Sequence, residues 1–133
     1  MKEVKIVSFD NRGRIVVPKV IRKSLGLTEN SQLMMVADTE TKEIKITPVA
    51  FDPNKQPIKF RIKIRDNPGS LAKIASTFGD LGISLMYGES AVIEKDRTAI
   101  WTVISPTPHI SLDILKEKLI QEGDAIDVEV IPL

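Results

Sequence analysis

Five basic side chains and no acidic one lie within residues 11–23 of this 133-residue chain. They surround a short β-branched run, residues 15–17, which Pro18 follows at once. Lysine and arginine neutralise phosphates, and arginine also offers planar, bidentate hydrogen bonding. An ordinary solvated face is the alternative, although such faces usually mix both signs of charge. The cluster indicates a surface for a polyanion such as duplex DNA, formed by Arg12, Arg14, Lys19, Arg22 and Lys23.

Few other residues could carry out catalysis or hold a metal ion. The chain has no cysteine, which excludes disulfides, zinc–thiolate sites and thiol catalysis. Its one histidine, His109, follows a proline in a predicted loop. Neither a Walker-type loop nor a GxGxxG loop for phosphate groups occurs. We therefore predict that the protein is not an enzyme and has no metal and no resident cofactor.

Composition predicts a cytoplasmic protein without a membrane segment. No run approaches the ~20 apolar residues of a membrane span, and no apolar stretch follows the N-terminal Met-Lys-Glu-Val-Lys. The lack of cysteine fits a reducing compartment. The net charge is +1, but residues 1–50 carry nine basic and six acidic side chains, whereas residues 51–133 carry ten and twelve. This asymmetry indicates a polyanion-binding part joined to a different part.

Short strands and one helix are predicted to position the basic residues. Alternation and β-branching favour strands at residues 3–9 and 14–17, with a turn at residues 11–13 between them. A hairpin is predicted from residues 32–37 and 43–47. The piece is too small to bury a good core alone, so we expect it to fold as a dimer.

The helix follows directly from the proline. Pro18 suits the first position of a helix that runs to Leu25, and Gly26 suits the position just beyond its end. At about 100° per residue, Lys19, Arg22 and Lys23 point away from the apolar side chains of this helix. Its basic face is therefore expected to be free to bind a partner.

The segment GRIVVPKVIRKSLGL, residues 13–27, resembles the SpoVT/AbrB swapped-hairpin domain that AbrB-like regulators and MazE-like antitoxins share. The resemblance spans roughly residues 3–48. It implies a β-rich dimer in which two chains interleave hairpins into one barrel and basic residues reach into DNA. Carried over by position, it assigns DNA contacts to Arg14, Arg22 and Lys23.

Residues 48–57, PVAFDPNKQP, contain three prolines and predict a linker, because proline opposes both helix and strand. We therefore divide the chain into a DNA-binding domain (1–48), a linker (49–57) and a second domain (58–133). The second domain has the β–α–β–β–α–β order of a ferredoxin-like α+β fold. Its predicted strands cover residues 59–65, 83–94, 97–104 and 125–131; its first helix is capped by Asn67, begins at Pro68 and ends at Gly82, and its second covers residues 111–122.

This order, together with DNPGSLA and GIS, resembles the ACT domain over about residues 58–133. The resemblance implies paired domains that bind an amino acid, whose carboxylate meets the loop between the first strand and first helix. Free N–H groups at a helix N-terminus attract anions, which supports this geometry. A turn without a ligand, in a domain that only dimerises, is the alternative. The candidate ligand-binding residues are Asp66, Asn67, Gly69, Ser70 and Leu71, and Asp66 also offers a carboxylate to an ammonium group.

These observations predict a transcription regulator that binds double-stranded DNA as a homodimer, or as a higher oligomer joined through its ACT domains. An amino-acid effector is expected to change its affinity for DNA. Two alternatives stay open. One is an antitoxin-like protein whose C-terminal half binds a partner protein, and the other is an ACT-type regulatory subunit of a metabolic enzyme.

Overall fold

The computed structural model of the protein describes residues 2–50 and 56–133. The chain divides into two compact units, residues 1–50 and 51–133, which we call unit 1 and unit 2. Residues 51–55 of the predicted linker lie outside the described residues. In the part of the chain that is described, no helix is long and apolar enough to cross a bilayer.

Unit 1 contains one short helix and one hairpin. Helix α1 covers Lys19–Ser24, so it is one residue shorter at each end than predicted. Pro18 is its N-cap rather than its first residue, and Leu25, whose N–H donates to Ile21 O at 3.0 Å, is its C-cap. Strands β1 (Gln32–Asp38) and β2 (Glu43–Val49) pair antiparallel. Both are longer than the sequence predicts.

The strands predicted at residues 3–9 and 14–17 do not form within the single chain. The turn between them does form: Gly13 has φ +72°, and Asp10 N–H donates to Arg14 O at 3.0 Å. Strand pairing requires a neighbouring strand to satisfy the backbone N–H and C=O groups. Among the described residues of unit 1, the one sheet consists of β1 and β2 alone, so neither segment has such a neighbour.

No residue between 2 and 50 is buried. The register places Met35 opposite Ile46, and the apolar face that these two residues share is open: Met35 is 64% exposed and Ile46 is 37% exposed. Ile6, in the segment predicted as the first strand, is 98% exposed. Unit 1 therefore has an apolar hairpin face but no core of its own.

Unit 2 is one four-stranded antiparallel sheet with two helices. The elements are β3 (Ile58–Arg65), α2 (Ser70–Asp80), β4 (Tyr87–Glu94), β5 (Thr98–Ser105), α3 (Leu112–Gln121) and β6 (Asp127–Pro132). Their order along the chain is the predicted one. The strands lie in the order β4-β5-β3-β6, so the two central strands are β5 and β3.

The core of unit 2 lies between the helices and one face of the sheet. Alternate residues of β3 and β5 are buried, and the helices contribute Ile74, Phe78, Leu115 and Leu119. The ring of Phe78 lies 5.9 Å from that of Phe60 and 6.3 Å from that of Trp101. Every buried apolar side chain of the described residues belongs to this unit.

The start of α2 differs from the prediction. Asn67 does not cap the helix and Pro68 is not its first residue, because Ser70 N–H donates to Asn67 O at 3.2 Å and closes a turn. Proline second and glycine third, with Gly69 at φ +86°, are typical of a type II turn. The helix therefore begins only at Ser70. The following strand also begins later than predicted, at Tyr87.

Candidate DNA-binding surface and ligand cavity

All five basic residues predicted to contact DNA are exposed on unit 1. Lys19, Arg22 and Lys23 lie on α1, and Arg12 and Arg14 belong to the turn before it. Arg22 and Lys23 are also in the last turn of the helix, where the helix dipole favours positive charge. The two residues can therefore stabilise α1 and remain accessible to an anion.

Asp10 organises the turn that carries the two arginines. Its Oδ1 accepts hydrogen bonds from the backbone N–H groups of Arg12 at 2.8 Å and Arg14 at 2.9 Å, and its Oδ2 accepts from Arg14 Nε at 2.7 Å. The N–H of Arg14, the guanidinium of Arg14 and the N–H of Arg12, in that order, hold the pKa of Asp10 below its usual value. One predicted DNA contact thus has an anionic partner within the chain.

Asp10 was not among the predicted site residues because it stands one residue outside the acid-free stretch. A signal for it was present: aspartate at the start of an Asn-Arg-Gly turn commonly accepts hydrogen bonds from the backbone two residues on. Asp38 has the same role between β1 and β2, where N–H groups of Thr41 and then Glu40 lower the pKa of its carboxyl group.

Unit 1 also contains two clefts beside the segments that were predicted to be strands. A cleft of about 330 Å³ lies between the start of the chain and α1, and one of about 500 Å³ lies along the turn of Asp10. The apolar side of α1 borders the first cleft through Ile21 and Leu25, and Leu25 is 56% exposed. The apolar side of this helix is therefore as open as the hairpin face.

In unit 2, four of the five predicted ligand-binding residues line one cavity of about 200 Å³: Asp66, Asn67, Ser70 and Leu71. The fifth, Gly69, instead provides the left-handed turn that leads into α2. The remaining lining residues were not predicted from the sequence: Ile64, Arg65, Ser90, Ala91, Val92 and Ala99. Those residues come together only because β4 pairs with β5, with Val92 opposite Ala99.

Asp66 has a structural role in this cavity wall. Its Oδ2 accepts a hydrogen bond from Asp96 N–H at 2.7 Å, and its own N–H donates to Arg97 O at 3.1 Å. Both bonds connect the end of β3 to the turn between β4 and β5. No side chain of the described residues caps α2. The first N–H groups of that helix are therefore not taken up by a side-chain cap.

His109 is exposed in the loop before α3, as predicted. Within residues 2–50 and 56–133, no group of three or more histidine or carboxylate side chains is arranged to hold a metal ion.

One comparison with known proteins concerns residues 6–54, most of which belong to unit 1. A family model described as antidote–toxin recognition MazE, bacterial antitoxin, matches residues 6–54. No curated protein matches the chain. Similar solved structures include an uncharacterized protein from Thermotoga maritima, with 16% identity over 59% of this chain and 98% of that one and a TM-score of 0.47. Another is the C-terminal domain of the MgtC protein from Mycobacterium tuberculosis, with 18% identity over 63% and 94% and a TM-score of 0.48. Residues 6–54 of the chain are thus similar to the MazE antitoxin family, a match that covers less than half of the chain.

Proposed function

We propose that the protein is a transcription regulator with two domains, residues 1–48 and 58–133, joined by a linker. The first binds duplex DNA as a homodimer, and the second is an ACT-type domain that senses an amino acid. The observation that carries this proposal is the exposed basic surface on a MazE/AbrB-like domain. We assign no catalysis to either domain.

The lack of a core in unit 1 supports the homodimer. A second chain that interleaves its hairpin would cover the open face of Met35 and Ile46. It would also provide hydrogen-bonding neighbours for residues 3–9 and 14–17, which were predicted to be strands. Both needs are met by one swapped arrangement, and units of this size usually require a partner when they have neither metal nor disulfide.

Two chains would present the basic surface twice. We estimate that about six phosphates are neutralised, which gives a slope near −5 for the logarithm of affinity against the logarithm of salt concentration. The test is fluorescence anisotropy of labelled DNA from upstream of the protein's own gene, across a salt series. Arg14→Ala/Arg22→Ala is expected to abolish the steep dependence.

The matched control is Lys116→Ala/Lys118→Ala, which removes the same charge from α3 in unit 2. It should leave the slope unchanged. A wild-type slope near −1, or equal losses in both double variants, would contradict an extended phosphate-binding surface on unit 1.

Two features of unit 2 support the ACT-type domain. The order of its elements and the strand order β4-β5-β3-β6 favour the ferredoxin-like arrangement. The cavity at the loop between β3 and α2 places an uncapped helix start beside the carboxylate of Asp66. The carboxylate of an amino acid would meet the N–H groups of the helix start, and its ammonium group would meet Asp66.

Sensing is tested by adding each common amino acid to the DNA-binding assay. A useful effector should change the affinity for DNA by about 5- to 150-fold. Val92→Trp should abolish this response because it fills the cavity. Ile93→Trp is the matched control: Ile93 does not line the cavity, and the two side chains are 57% and 60% exposed. If no amino acid changes the affinity for DNA, the sensing proposal is wrong and dimerisation is left as the role of unit 2.

The family match also favours a second candidate function, that of an antitoxin. In that case unit 2 would bind a partner protein. The buried core of unit 2 argues against this alternative, because antitoxin segments that bind toxins are usually extended and disordered before binding. Copurification of a small toxin with the wild-type chain would favour it over sensing.

A further inference from the structure

The face of the unit 2 sheet opposite the helices carries its charges in separate columns. Each outward residue of β3 is basic, and each outward residue of β5 is uncharged. The acidic residues of this face lie on the two edge strands, β4 and β6. The columns are Lys59, Arg61, Lys63 and Arg65 on β3; Thr98, Ile100, Thr102 and Ile104 on β5; Glu89 and Glu94 on β4; and Asp127 and Glu129 on β6.

The basic column is only partly neutralised among the described residues. Arg61 forms an ion pair with Glu129 at 3.9 Å, and Arg65 acts on Asp124 through its charge. Lys59 and Lys63 have neither kind of partner in the described part of the chain. The acidic residues of β4 are two strands away from β3, about 9–10 Å, because β5 lies between them. Among the described residues no ion pair joins those carboxylates to β3: Glu94 instead pairs with Arg97 at 3.8 Å, and Glu89 accepts a hydrogen bond from Tyr87 at 3.1 Å.

We propose that this face binds the same face of a second chain around a two-fold axis that runs along β5. Such an axis places β3 of each chain over β4 of the other. In register, Arg61 then lies opposite Glu89 of the second chain, and Arg65 lies opposite its Glu94. The contact is isologous, so each complementary pair occurs twice.

An axis between β3 and β6 would also place cations opposite carboxylates, but it overlaps only two strands of each sheet. Two further symmetric arrangements of the two faces are electrostatically worse. A two-fold axis in the interface and perpendicular to the strands would place β3 over β3, with cations opposite cations. An axis between β5 and β3 would place β4 over β6, with carboxylates opposite carboxylates. A nucleic acid is also a poorer partner, because the four basic residues are matched by four acidic ones on the same face. A second copy fits the separated columns, and this contact does not depend on DNA binding by unit 1.

The uncharged column provides the centre of the contact. Ile100 and Ile104 are half-buried already and would each meet their own copy near the axis. Packed sheets lie about 10 Å apart and cross at about −30°, so residues near the middle of β5 should match best. Thr102 is at this position, opposite Arg61 and Glu89 in the neighbouring strands.

The experiment uses the full-length chain, which has no cysteine. Sheets about 10 Å apart are too distant for a disulfide, so Thr102→Cys is treated with a short bismaleimide linker. We expect a covalent dimer on a denaturing gel. The control is Ser76→Cys, an exposed position on the helical side of unit 2. If Thr102→Cys gives no more covalent dimer than Ser76→Cys, the proposal is overturned.

Charge reversal, introduced into the Thr102→Cys chain, tests whether β3 of one chain pairs with β4 of the other. Arg61→Glu/Arg65→Glu and Glu89→Arg/Glu94→Arg should each lower the cross-linking rate by about tenfold or more. Co-expression of the two reversed chains should restore a mixed covalent dimer. Trp101 fluorescence confirms that each variant is folded. A different result for Arg61→Glu/Arg65→Glu would overturn the proposal: unchanged cross-linking together with a shallower salt dependence of DNA binding. That result would mean that this face binds nucleic acid instead.

Discussion

The hairpin of unit 1 and the sheet of unit 2 are both built from strands with one apolar face, yet only one of these faces is covered. In unit 2, α2 and α3 lie over the sheet, and Phe60, Ile62 and Val103 are completely buried. In unit 1 the helix has six residues, and the hairpin face of Met35 remains open. We therefore expect unit 2 to be stable by itself and unit 1 to depend on a second chain for its stability.

The largest expected effect is the loss of stability of unit 2 on substitution of a core residue. Phe78→Ala should destabilise unit 2 by about 3–5 kcal/mol, because Phe78 is fully buried between Phe60 and Trp101. Trp101 is the only tryptophan of the chain, so its fluorescence in urea reports unit 2. Leu33→Ala, in the hairpin of unit 1, is the control. An equal shift of the Trp101 transition in Leu33→Ala would contradict independent units.

The second prediction acts on unit 1 alone. Met35→Glu places a charge on the open hairpin face and should weaken self-association by about 10- to 100-fold. Hydrogen exchange should show lost protection of backbone amides in unit 1 on dilution, with unit 2 unchanged. Glu40→Lys, in the turn between β1 and β2, is the control. Protection in unit 1 that is independent of concentration would mean that no second chain is needed.

The third prediction tests how closely unit 2 is packed. A Cβ at Gly123 would lie 2.7 Å from Leu119 O and 2.9 Å from Ile74 Cδ1. Gly123→Ala should therefore destabilise unit 2 by about 1–3 kcal/mol. Gly79→Ala is the matched control: Gly79 lies in α2 with nothing within 4 Å of an added Cβ, and this change should stabilise by about 0.5–1 kcal/mol. Equal destabilisation by both changes would contradict the close contact at Gly123.

The smallest expected effect is a pH dependence of the stability of unit 2. The Lys73 ammonium donates to Asp124, and its hydrogen bond and charge lower the pKa of the Asp124 carboxyl group. A lowered pKa contributes stability that is present above the ordinary value of 3.8 and is lost as pH falls through the lowered value. The effect should be small because both side chains are more than half exposed.

Urea midpoints of the Trp101 transition between pH 2 and pH 6 provide the measurement. Lys73→Met should reduce the loss of stability below pH 4, since its Asp124 has no ammonium partner. An identical pH profile in both proteins would show that the pair contributes nothing.

Sequence patterns predicted the elements of unit 2 more successfully than those of unit 1. The alternation in β3 and the helical spacing in α2 describe faces that are buried within the same chain, so local pattern and structure agree. The β-branched run at residues 15–17 describes a face with no cover in its own chain, and the predicted strand does not form. The boundary error at Asn67 has a local cause, because Pro68 and Gly69 form a turn before the helix can begin.

The residues of the candidate sites also differ in how well the sequence predicts them. The loop wall of the cavity is a continuous motif, and four of its five predicted residues line the space. The wall from Ser90 to Val92 depends on strand pairing, which the sequence alone does not specify. Asp10 was missed for a third reason: it stands one residue outside the acid-free stretch, although its side chain accepts a hydrogen bond from Arg14.

The bond between Asp10 and Arg14 gives the turn a selectivity that a bare arginine would lack. An anion that binds Nε of Arg14 must replace a carboxylate that is already in place there, and not merely water. Diffuse negative charge gains little from such an exchange, since one anionic acceptor only substitutes for another. A rigid ligand that offers two acceptors in the plane of the guanidinium gains more, because arginine binds such a pair at two points. The turn should therefore bind an anion that has two well-placed acceptors more strongly than a charged polymer that is only nearby.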